Sequence, residues 1–295
     1  MNKKVGADLI LGIITLIWGS TFVLMRNSLD KLSTFQLLSL RFSIASIILI
    51  IIFHKKLKEI NWQLIKYGSL IGLMLCGSLV FQVWGLHYTT ASNSSFITSL
   101  YVLMVPIIAA IIFKEKVEKS SVIGILVAFI GIVFLNGGLE LKFGLGEILT
   151  FLCAICVAFQ IIFIDIYTKE YDSILLGIIQ VIFSAICCSI GWGVTGFEKV
   201  YIDNDIIITL FVIGVLATAV AFTAETYVQK FTSSTHTALI FSIEPVFGLM
   251  FALIIPDNTG VSEVLTFSKI LGCCLILFGV LISELNLFKK KERFQ

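Results

Sequence analysis

Apolar stretches of about twenty residues recur along the whole chain, and they constrain its fold more than any other feature. A bilayer core about 30 Å thick needs about 20 apolar residues in a helix. Ten stretches fit, over residues 7–26, 34–54, 66–88, 92–113, 120–137, 146–168, 173–196, 206–229, 235–255 and 266–287. Helices pair their own backbone polar groups, as lipid requires. The sequence therefore predicts an all-α integral membrane protein with ten transmembrane helices.

The composition agrees with this class. Hydrophobic residues make up 58% of the chain and charged residues 14%, whereas a soluble domain carries about 25% charged residues. The net charge of +2 is small and gives no indication of a nucleic-acid partner. All seven cysteines lie inside apolar runs, without the histidine spacing of a zinc site. We interpret them as packing residues and expect no metal or other cofactor.

Basic residues in the short loops predict the orientation, because cytoplasmic loops carry more Lys and Arg. With the N-terminus in the cytoplasm, Arg41 lies within a helix, and fifteen of the 21 basic residues lie inside. The other five lie outside, namely Arg26, Lys31, Lys142, Lys199 and Lys269. We therefore expect a multi-pass protein of the cell membrane with both termini cytoplasmic. The tail "KKKERFQ" (289–295) would then lie at the lipid surface, where anchoring to anionic lipid is an alternative role.

An internal repeat divides the chain. The stretch "YTTASNSSFITSLYVLMVPIIAAII" (88–112) aligns without a gap over "FTSSTHTALIFSIEPVFGLMFALII" (231–255), at an offset of 143. In the helices that follow, Gly124 and Gly131 match Gly272 and Gly279, and each pair permits close helix packing. We expect two repeats of five helices, 1–139 and 140–295. Five is odd, so the second repeat is inverted, as in carriers that work by alternating access.

Three stretches carry a resemblance to a known family: "LIWGSTFVLMR" (16–26), "YTTASNSSFITSLYVLMVPIIAAIIFKEK" (88–116) and "SIEPVFGLMFALI" (242–254). With them the chain resembles the drug/metabolite transporter superfamily, in its ten-helix EamA-type branch. The resemblance implies that helices 1–4 and 6–9 line a central cavity, with helices 5 and 10 peripheral or at a homodimer contact. The stretch "PDNTGVSE" (256–263) departs from the family pattern at the end of the ninth helix.

Glu244 is the strongest candidate site residue, because it lies near the middle of the ninth helix beside Pro245. A charge at the bilayer centre costs about 2.5–3.5 kcal/mol on insertion scales and marks a functional site by default. Proline removes a backbone donor, so we expect the helix to bend and a cavity to open there. Glu244 could bind a cation or carry a proton. The alternative is a structural group that stays protonated or bonds a neighbouring helix. The family resemblance favours a general role in the conformational cycle or in coupling, rather than in substrate choice.

Polar residues at matched repeat positions supply further candidates. Glu225, one turn from the end of helix 8, is interpreted first as a group that reaches water by snorkelling. Its counterpart is Gln82, and together they suggest the two mouths of one pathway. Arg41 could bind a substrate carboxylate or pair with Glu244, Glu225 or a backbone carbonyl. Its counterpart is Gln180.

Helices 1, 4 and 6 contribute the remaining candidates. Trp18 lies mid-helix and could wall an apolar pocket or pack against neighbours. Thr21 has Gln160 as its counterpart, and Tyr101 is the counterpart of Glu244. His236 is expected to be a polar residue in water at the start of helix 9.

These observations predict a secondary transporter, an exporter or exchanger of a small organic metabolite such as an amino acid or a drug-like compound. Its partners would be that solute, protons as a candidate coupling ion, and lipid. No nucleotide-binding GxxxxGK[ST] motif occurs, so we expect no direct ATP drive. The alternatives are a channel or a membrane-embedded enzyme. Isolated polar residues argue against a continuous pore, and three histidines near helix ends argue against an enzyme.

Overall fold

The computed structural model describes residues 3–89, 91–114, 119–135, 144–196, 199–256, 260 and 262–284. Within these ranges the chain forms ten helical rods. They are α1 (Lys3–Ser28), α2 (Thr34–Phe53), α3 (Trp62–Gly85), α4 (Ala91–Thr98 and Tyr101–Phe113), α5 (Lys119–Leu135), α6 (Leu145–Tyr167), α7 (Ser173–Val194), α8 (Asn204–Gln229), α9 (Ser234–Phe241 and Glu244–Ile254) and α10 (Phe267–Glu284). A short 3₁₀ turn, Lys56–Glu59, joins α2 to α3.

Eight of the described helices are long and apolar enough to cross a membrane. The described parts of α5 and α10 are shorter apolar helices. The expected helix bounds hold to within four residues. For example, α3 begins at residue 62 because Asn61 caps it, with its side chain accepting a hydrogen bond from the Leu64 amide. The predicted fold class is confirmed. The expected boundary between residues 139 and 140, and the basic tail, lie outside the described residues.

The repeat is visible in how α5 and α10 pack. A Cβ atom added to Gly131 would lie 2.7 Å from the Gly272 carbonyl oxygen, and one added to Gly279 would lie 2.5 Å from the Gly124 carbonyl oxygen. The repeat relates these two contacts to each other, because Gly124 and Gly131 align with Gly272 and Gly279. The matched glycines therefore let the two backbones touch, as the spacing predicted.

Two helices are interrupted at equivalent positions. The first segment of α9 ends at Phe241 and the second begins at Glu244. The second segment of α4 likewise begins at Tyr101, the residue that aligns with Glu244. Tight i to i−3 hydrogen bonds carry the backbone across both breaks, from Leu100 to Ile97 and from Ile243 to Ile240. The break beside Pro245 was expected, and the one in α4 was not.

The middle of α8 is wound as a π-helix over Phe211–Val220. This wider winding turns the Ala217 carbonyl and the Thr218 hydroxyl toward other helices, where they accept hydrogen bonds from Trp18 and Arg41. Such segments are rare and often occur at functional sites. Three irregular helices, α4, α8 and α9, therefore meet around the centre of the bundle.

Candidate functional site

One cavity lies at the centre of the bundle, among α1, α2, α3, α4, α6, α8 and α9. Its volume is about 60 Å³, on a measure where one water molecule needs about 10–15 Å³. In this conformation it has room for a few water molecules or a solute of similar size. No residue of α7 lines it, although the family resemblance implied that helix 7 would. Eight of the nine candidate site residues line the cavity: Trp18, Thr21, Arg41, Gln82, Tyr101, Gln160, Glu225 and Glu244.

Repeat-equivalent positions face each other across this cavity. On α1 and α6, at an offset of 139, Trp18 corresponds to Val157 and Thr21 to Gln160. On α3, α4, α8 and α9, at an offset of 143, four more pairs line the wall: Leu79 and Phe222, Gln82 and Glu225, Thr98 and Phe241, and Tyr101 and Glu244. The same positions of both halves therefore build the cavity, but the side chains differ.

Arg41 is only 1% exposed and lines the cavity from α2. Its Nε donates to the Thr218 hydroxyl at 2.6 Å, and Nη1 lies 3.4 Å from the Met25 sulfur. Among the described residues no carboxylate oxygen lies within 4.0 Å of its guanidinium. Direct pairing with Glu244 or Glu225, two of the expected alternatives, is therefore absent from this conformation. The guanidinium keeps N–H groups available for a ligand.

Glu244 opens the second segment of α9, next to Pro245. Its side chain lines the cavity and forms no hydrogen bond with the described residues. The alternative of a carboxyl group bonded to a neighbouring helix is thus not what the structure shows. The helix break leaves this carboxyl group at the first turn of the second segment, where backbone N–H groups favour an anion.

Glu225 is fully buried, at 1% exposure, so the interpretation of a side chain that snorkels to water is wrong. Among the described residues its Oε2 atom has no hydrogen-bond partner, and neither does the hydroxyl of Tyr101, which also lines the cavity. The turn beyond Glu225 is covered, because Gln229 is buried and donates a hydrogen bond to the Ile161 carbonyl of α6. Nearness to a helix end therefore does not give this carboxylate access to solvent.

Aromatic rings form one wall of the cavity. The Trp18 ring lies 4.9 Å from that of Phe222 and 5.0 Å from that of Phe241, and its indole N–H donates to the Ala217 carbonyl at 3.0 Å. The Thr21 hydroxyl is engaged with the Trp18 carbonyl at 2.7 Å. Trp18 is therefore the wall of an apolar surface, with its indole donor already in use.

Gln180 does not line the cavity. Its side chain accepts a hydrogen bond from Gln160 at 3.3 Å and donates to the Thr226 hydroxyl at 2.8 Å, which holds it between α6 and α8. In the second half, the residue equivalent to Arg41 is thus engaged in hydrogen bonds within the protein. Gln180 orients Gln160, which does line the cavity.

Several lining residues were missed by the sequence analysis: Ser78, Leu79, Thr98, Cys153, Val157, Ile161, Phe222 and Phe241. Val157 is equivalent to the predicted Trp18, so the repeat offset could have found it, whereas Phe222 and Phe241 are equivalent to Leu79 and Thr98, which were missed as well. At one end of the bundle His236 is not in open water as expected. Its Nε2 lies 3.2 Å from a carboxylate oxygen of Asp8, and both side chains are mostly buried.

The arrangement presents opposite charges that are not paired with each other. One cation, two carboxyl groups and a phenol surround a partly aromatic space. Buried charges are costly unless they are paired, so such groups commonly mark ligand and ion pathways. The site therefore presents both polar groups and an apolar surface to whatever occupies it.

Comparisons with known proteins identify relatives of the chain. A model of the EamA-like transporter family matches residues 6–137 and again residues 144–285. An uncharacterized transporter of Archaeoglobus fulgidus is 35% identical over 284 residues, covering 96% of this chain and 87% of that protein. The uncharacterized transporter YoaV of Bacillus subtilis is 22% identical over 298 residues, covering 95% and 98%.

A solved crystal structure has the same fold. It superposes with a TM-score of 0.76 at 18% sequence identity, and the match covers 95% of this chain and 98% of the other. At this identity the similarity supports the ten-helix architecture alone.

Proposed function

Because the chain belongs to the EamA-like transporter family, we propose that it is a secondary transporter that exports or exchanges a small organic solute by alternating access. The observation that carries this proposal is the central cavity, which equivalent positions of both halves build around unpaired charged groups. Two inverted halves that share one site can expose it to either side in turn.

The lining also supports the solute class. Arg41 would bind a carboxylate or another anionic group, since guanidinium N–H groups match carboxylate geometry. Glu244 and Glu225 would face a cationic group of the solute or take up protons. The rings of Trp18 and Phe222 would contact an apolar part. An amino acid or a drug-like molecule with separated polar and apolar parts satisfies these contacts.

We further propose the cell membrane as location, with both termini in the cytoplasm. The distribution of Lys and Arg over the loops supports this orientation. A homodimer through α5 and α10 would use their outward faces, because their glycine faces pack against each other within the monomer.

Counterflow in proteoliposomes tests the proposal. A thermal-shift screen of amino acids, nucleobases, polyamines and drugs first finds a solute, because a bound ligand raises the apparent melting temperature. Vesicles loaded with unlabelled solute should then accumulate labelled solute transiently against its gradient. A channel would only equilibrate the label, and an enzyme would convert it, so either result would contradict a carrier.

Proton coupling is tested with Glu244→Gln. This variant should lose uptake driven by a pH gradient and keep exchange at equal pH on both sides. Glu170→Gln, a change at an exposed carboxylate between α6 and α7, is the matched control and should leave both activities intact. Gradient-driven uptake that persists in Glu244→Gln would exclude Glu244 as the coupling residue.

A further inference from the structure

Two buried thiols face each other outside the central cavity. The Sγ atoms of Cys76 on α3 and Cys188 on α7 lie 3.6 Å apart. Both cysteines are free, and their exposed fractions are only 8% and 0%. Neither lines the central cavity, so the pair is separate from the proposed solute site.

The sequence of α3 brings the two helices together at this point. A Cβ atom added to Gly72 would lie 2.9 Å from the Gln180 carbonyl oxygen. The Ser184 hydroxyl donates to the Gly72 carbonyl at 3.1 Å. Small residues let membrane helices approach closely. Cys76 follows Gly72 by one helical turn and Cys188 follows Ser184 by one turn, so the thiols meet where the two backbones are in contact.

This contact is close to the geometry of a disulfide bond. The sulfur atoms of a disulfide are about 2.05 Å apart, so the two Sγ atoms would have to approach by about 1.5 Å. Rotation of the two side chains, with a small shift of the helices, supplies this approach.

The surroundings of the two thiols differ. Arg41 interacts electrostatically with Cys188. The thiolate is the reactive form of cysteine, and a neighbouring arginine favours it. Cys76 is the more accessible of the two. Cys187, which is half-buried, also interacts with the Cys76 thiol and is the alternative partner for it.

The pair also connects the two halves of the chain. Helix α3 lies in the first region that the family model matches, and α7 lies in the second. Halves that work by alternating access rock against each other. A covalent bond between α3 and α7 would therefore hold together two parts that are expected to move.

We propose that Cys76 and Cys188 form an oxidation site, at which an organic hydroperoxide from the lipid phase produces a disulfide that locks the two halves together. Both cysteines lie within membrane-spanning helices, so an apolar oxidant reaches them from the bilayer.

The reaction takes two steps. The Cys76 sulfur attacks the terminal oxygen of the hydroperoxide, so an S–O bond forms, the O–O bond breaks, and the thiol proton leaves with the alcohol. The Cys188 sulfur then attacks the sulfenic sulfur, so the S–S bond forms, the S–O bond breaks, and the hydroxide leaves as water with the second thiol proton. The two thiols lose two electrons, and the hydroperoxide gains them.

Mass spectrometry tests for the bond without any solute. The protein in lipid vesicles is treated with cumene hydroperoxide, free thiols are alkylated, and the digest should contain the peptides of Cys76 and Cys188 joined. Fragment ions assign the second sulfur to residue 188 rather than 187 in the wild type itself, so this result does not depend on how a variant folds. Absence of the joined peptides, or a bond to Cys187, would overturn the pair.

Two matched variants check the assignment. Cys188→Ala should abolish the bond, and Cys187→Ala, which removes the adjacent thiol, should retain it. A bond that survives Cys188→Ala and disappears in Cys187→Ala would contradict the proposal.

Counterflow then tests the lock, a step that rests on the proposed function. Counterflow by oxidised wild-type protein should be at least about tenfold slower, a change of about 1.4 kcal/mol in barrier, and a dithiol reductant should restore it. Cys188→Ala should keep its untreated rate under the same oxidation. Full counterflow by protein that carries the bond would overturn the lock. If untreated wild type shows no counterflow, the transporter proposal fails, and the mass spectra still decide whether the two thiols form a bond.

Discussion

Arg41 is the residue whose surroundings bear most directly on recognition. It is buried, its guanidinium lies 5.9 Å from the centroid of the Phe42 ring, and its side-chain hydrogen bonds among the described residues go to one hydroxyl and one sulfur. Leaving a buried charge without a counterion is strongly destabilising, so a neutral network or a fixed ion pair would suit a purely structural role better. The second half uses Gln180 at the equivalent position and satisfies it internally. This difference between the halves supports the proposal that Arg41 binds an anionic group of the solute.

Replacing Arg41 by Gln should weaken the binding of carboxylate-bearing solutes by about tenfold to a hundredfold, because a hydrogen bond to a charged group contributes about 1.5–3 kcal/mol. Neutral analogues of the same solute should lose little. Competition of each compound against labelled solute measures both effects. Arg26→Gln is the control, since Arg26 bonds the Leu86 carbonyl and does not line the cavity. Equal losses for neutral and anionic compounds would contradict the assignment.

The position of a residue along its helix correctly predicted where some of these side chains lie and was misleading for others. Glu244 and Tyr101 lie at matched midpoints of their helices, and both line the cavity. Glu225 looked close to water because only a few residues separate it from a helix end. Distance along one helix does not measure burial when neighbouring helices cover that end, and Gln229 and Ile161 close it here. Sequence alone has no signal for such cover.

At the scale of elements, the π-helical middle of α8 positions two cavity residues that belong to other helices. Thr218 accepts from Arg41 Nε, and its own hydroxyl donates to the Ile213 carbonyl five residues earlier, at 2.6 Å. Ala217 presents its carbonyl to the Trp18 indole. Residues 211–220 contain neither a proline nor a polar run that would indicate a π-helix, so the sequence could not predict it.

Thr218→Val tests the positioning role of this element. The change preserves shape but removes the acceptor of Arg41, so the guanidinium should lose its fixed orientation. We expect the KM for carboxylate solutes to rise several-fold with kcat nearly unchanged, because only binding is affected. Thr218→Ser retains the hydroxyl and should restore the wild-type KM. A fall in kcat alone, without a change in KM, would contradict a role in positioning Arg41.

The glycine spacing in α5 and α10 predicted close helix packing, and the structure shows that the partner of each glycine face is the other helix. Gly131→Ala would place a methyl group 2.7 Å from both the Gly272 carbonyl oxygen and the Ile276 amide. The helices must separate, and overpacking of this kind costs about 1–3 kcal/mol. The apparent melting temperature should fall. Gly12→Ala on α1, where the added methyl meets nothing within 4 Å, is the control and should not lower it.

At the scale of the whole molecule, periodic hydrophobicity and the internal repeat were enough to predict the helix count and the pairing of equivalent positions. Gly131 and Gly279 were part of the sequence evidence for the repeat, and the structure places them in symmetric contacts. The break in α4 was not predicted, because the nearest proline, Pro106, lies five residues beyond Tyr101. A prediction from proline alone would have placed the break too far along the helix. Its true position follows from the repeat, since Tyr101 and Glu244 align. Applying the repeat to the expected break beside Pro245 would have located this one, but local chemistry would not.

Movement of the whole molecule would be controlled where α1 meets the second segment of α9. Gly19 lies so close that an added Cβ would be 2.6 Å from the Phe247 Cβ and 2.9 Å from the Gly248 amide nitrogen. This contact lies on the same two helices as Thr21 and Glu244, which line the central cavity. If the halves alternate, opening the cavity past the break in α9 must separate these backbones.

Gly19→Ala should therefore shift the population toward the state in which α1 and α9 are apart. The added methyl group clashes only in the state in which the two helices are in contact. Distances between spin labels on the ends of α1 and α9 should lengthen, and counterflow should slow as one state is over-stabilised. Gly248→Ala is the matched change on the facing helix. Its methyl would lie 3.8 Å from the Gly19 carbonyl oxygen, an ordinary contact, so distances and rate should stay as in the wild type. Unaltered distances in Gly19→Ala, in a variant that still folds, would show that this contact does not separate during transport.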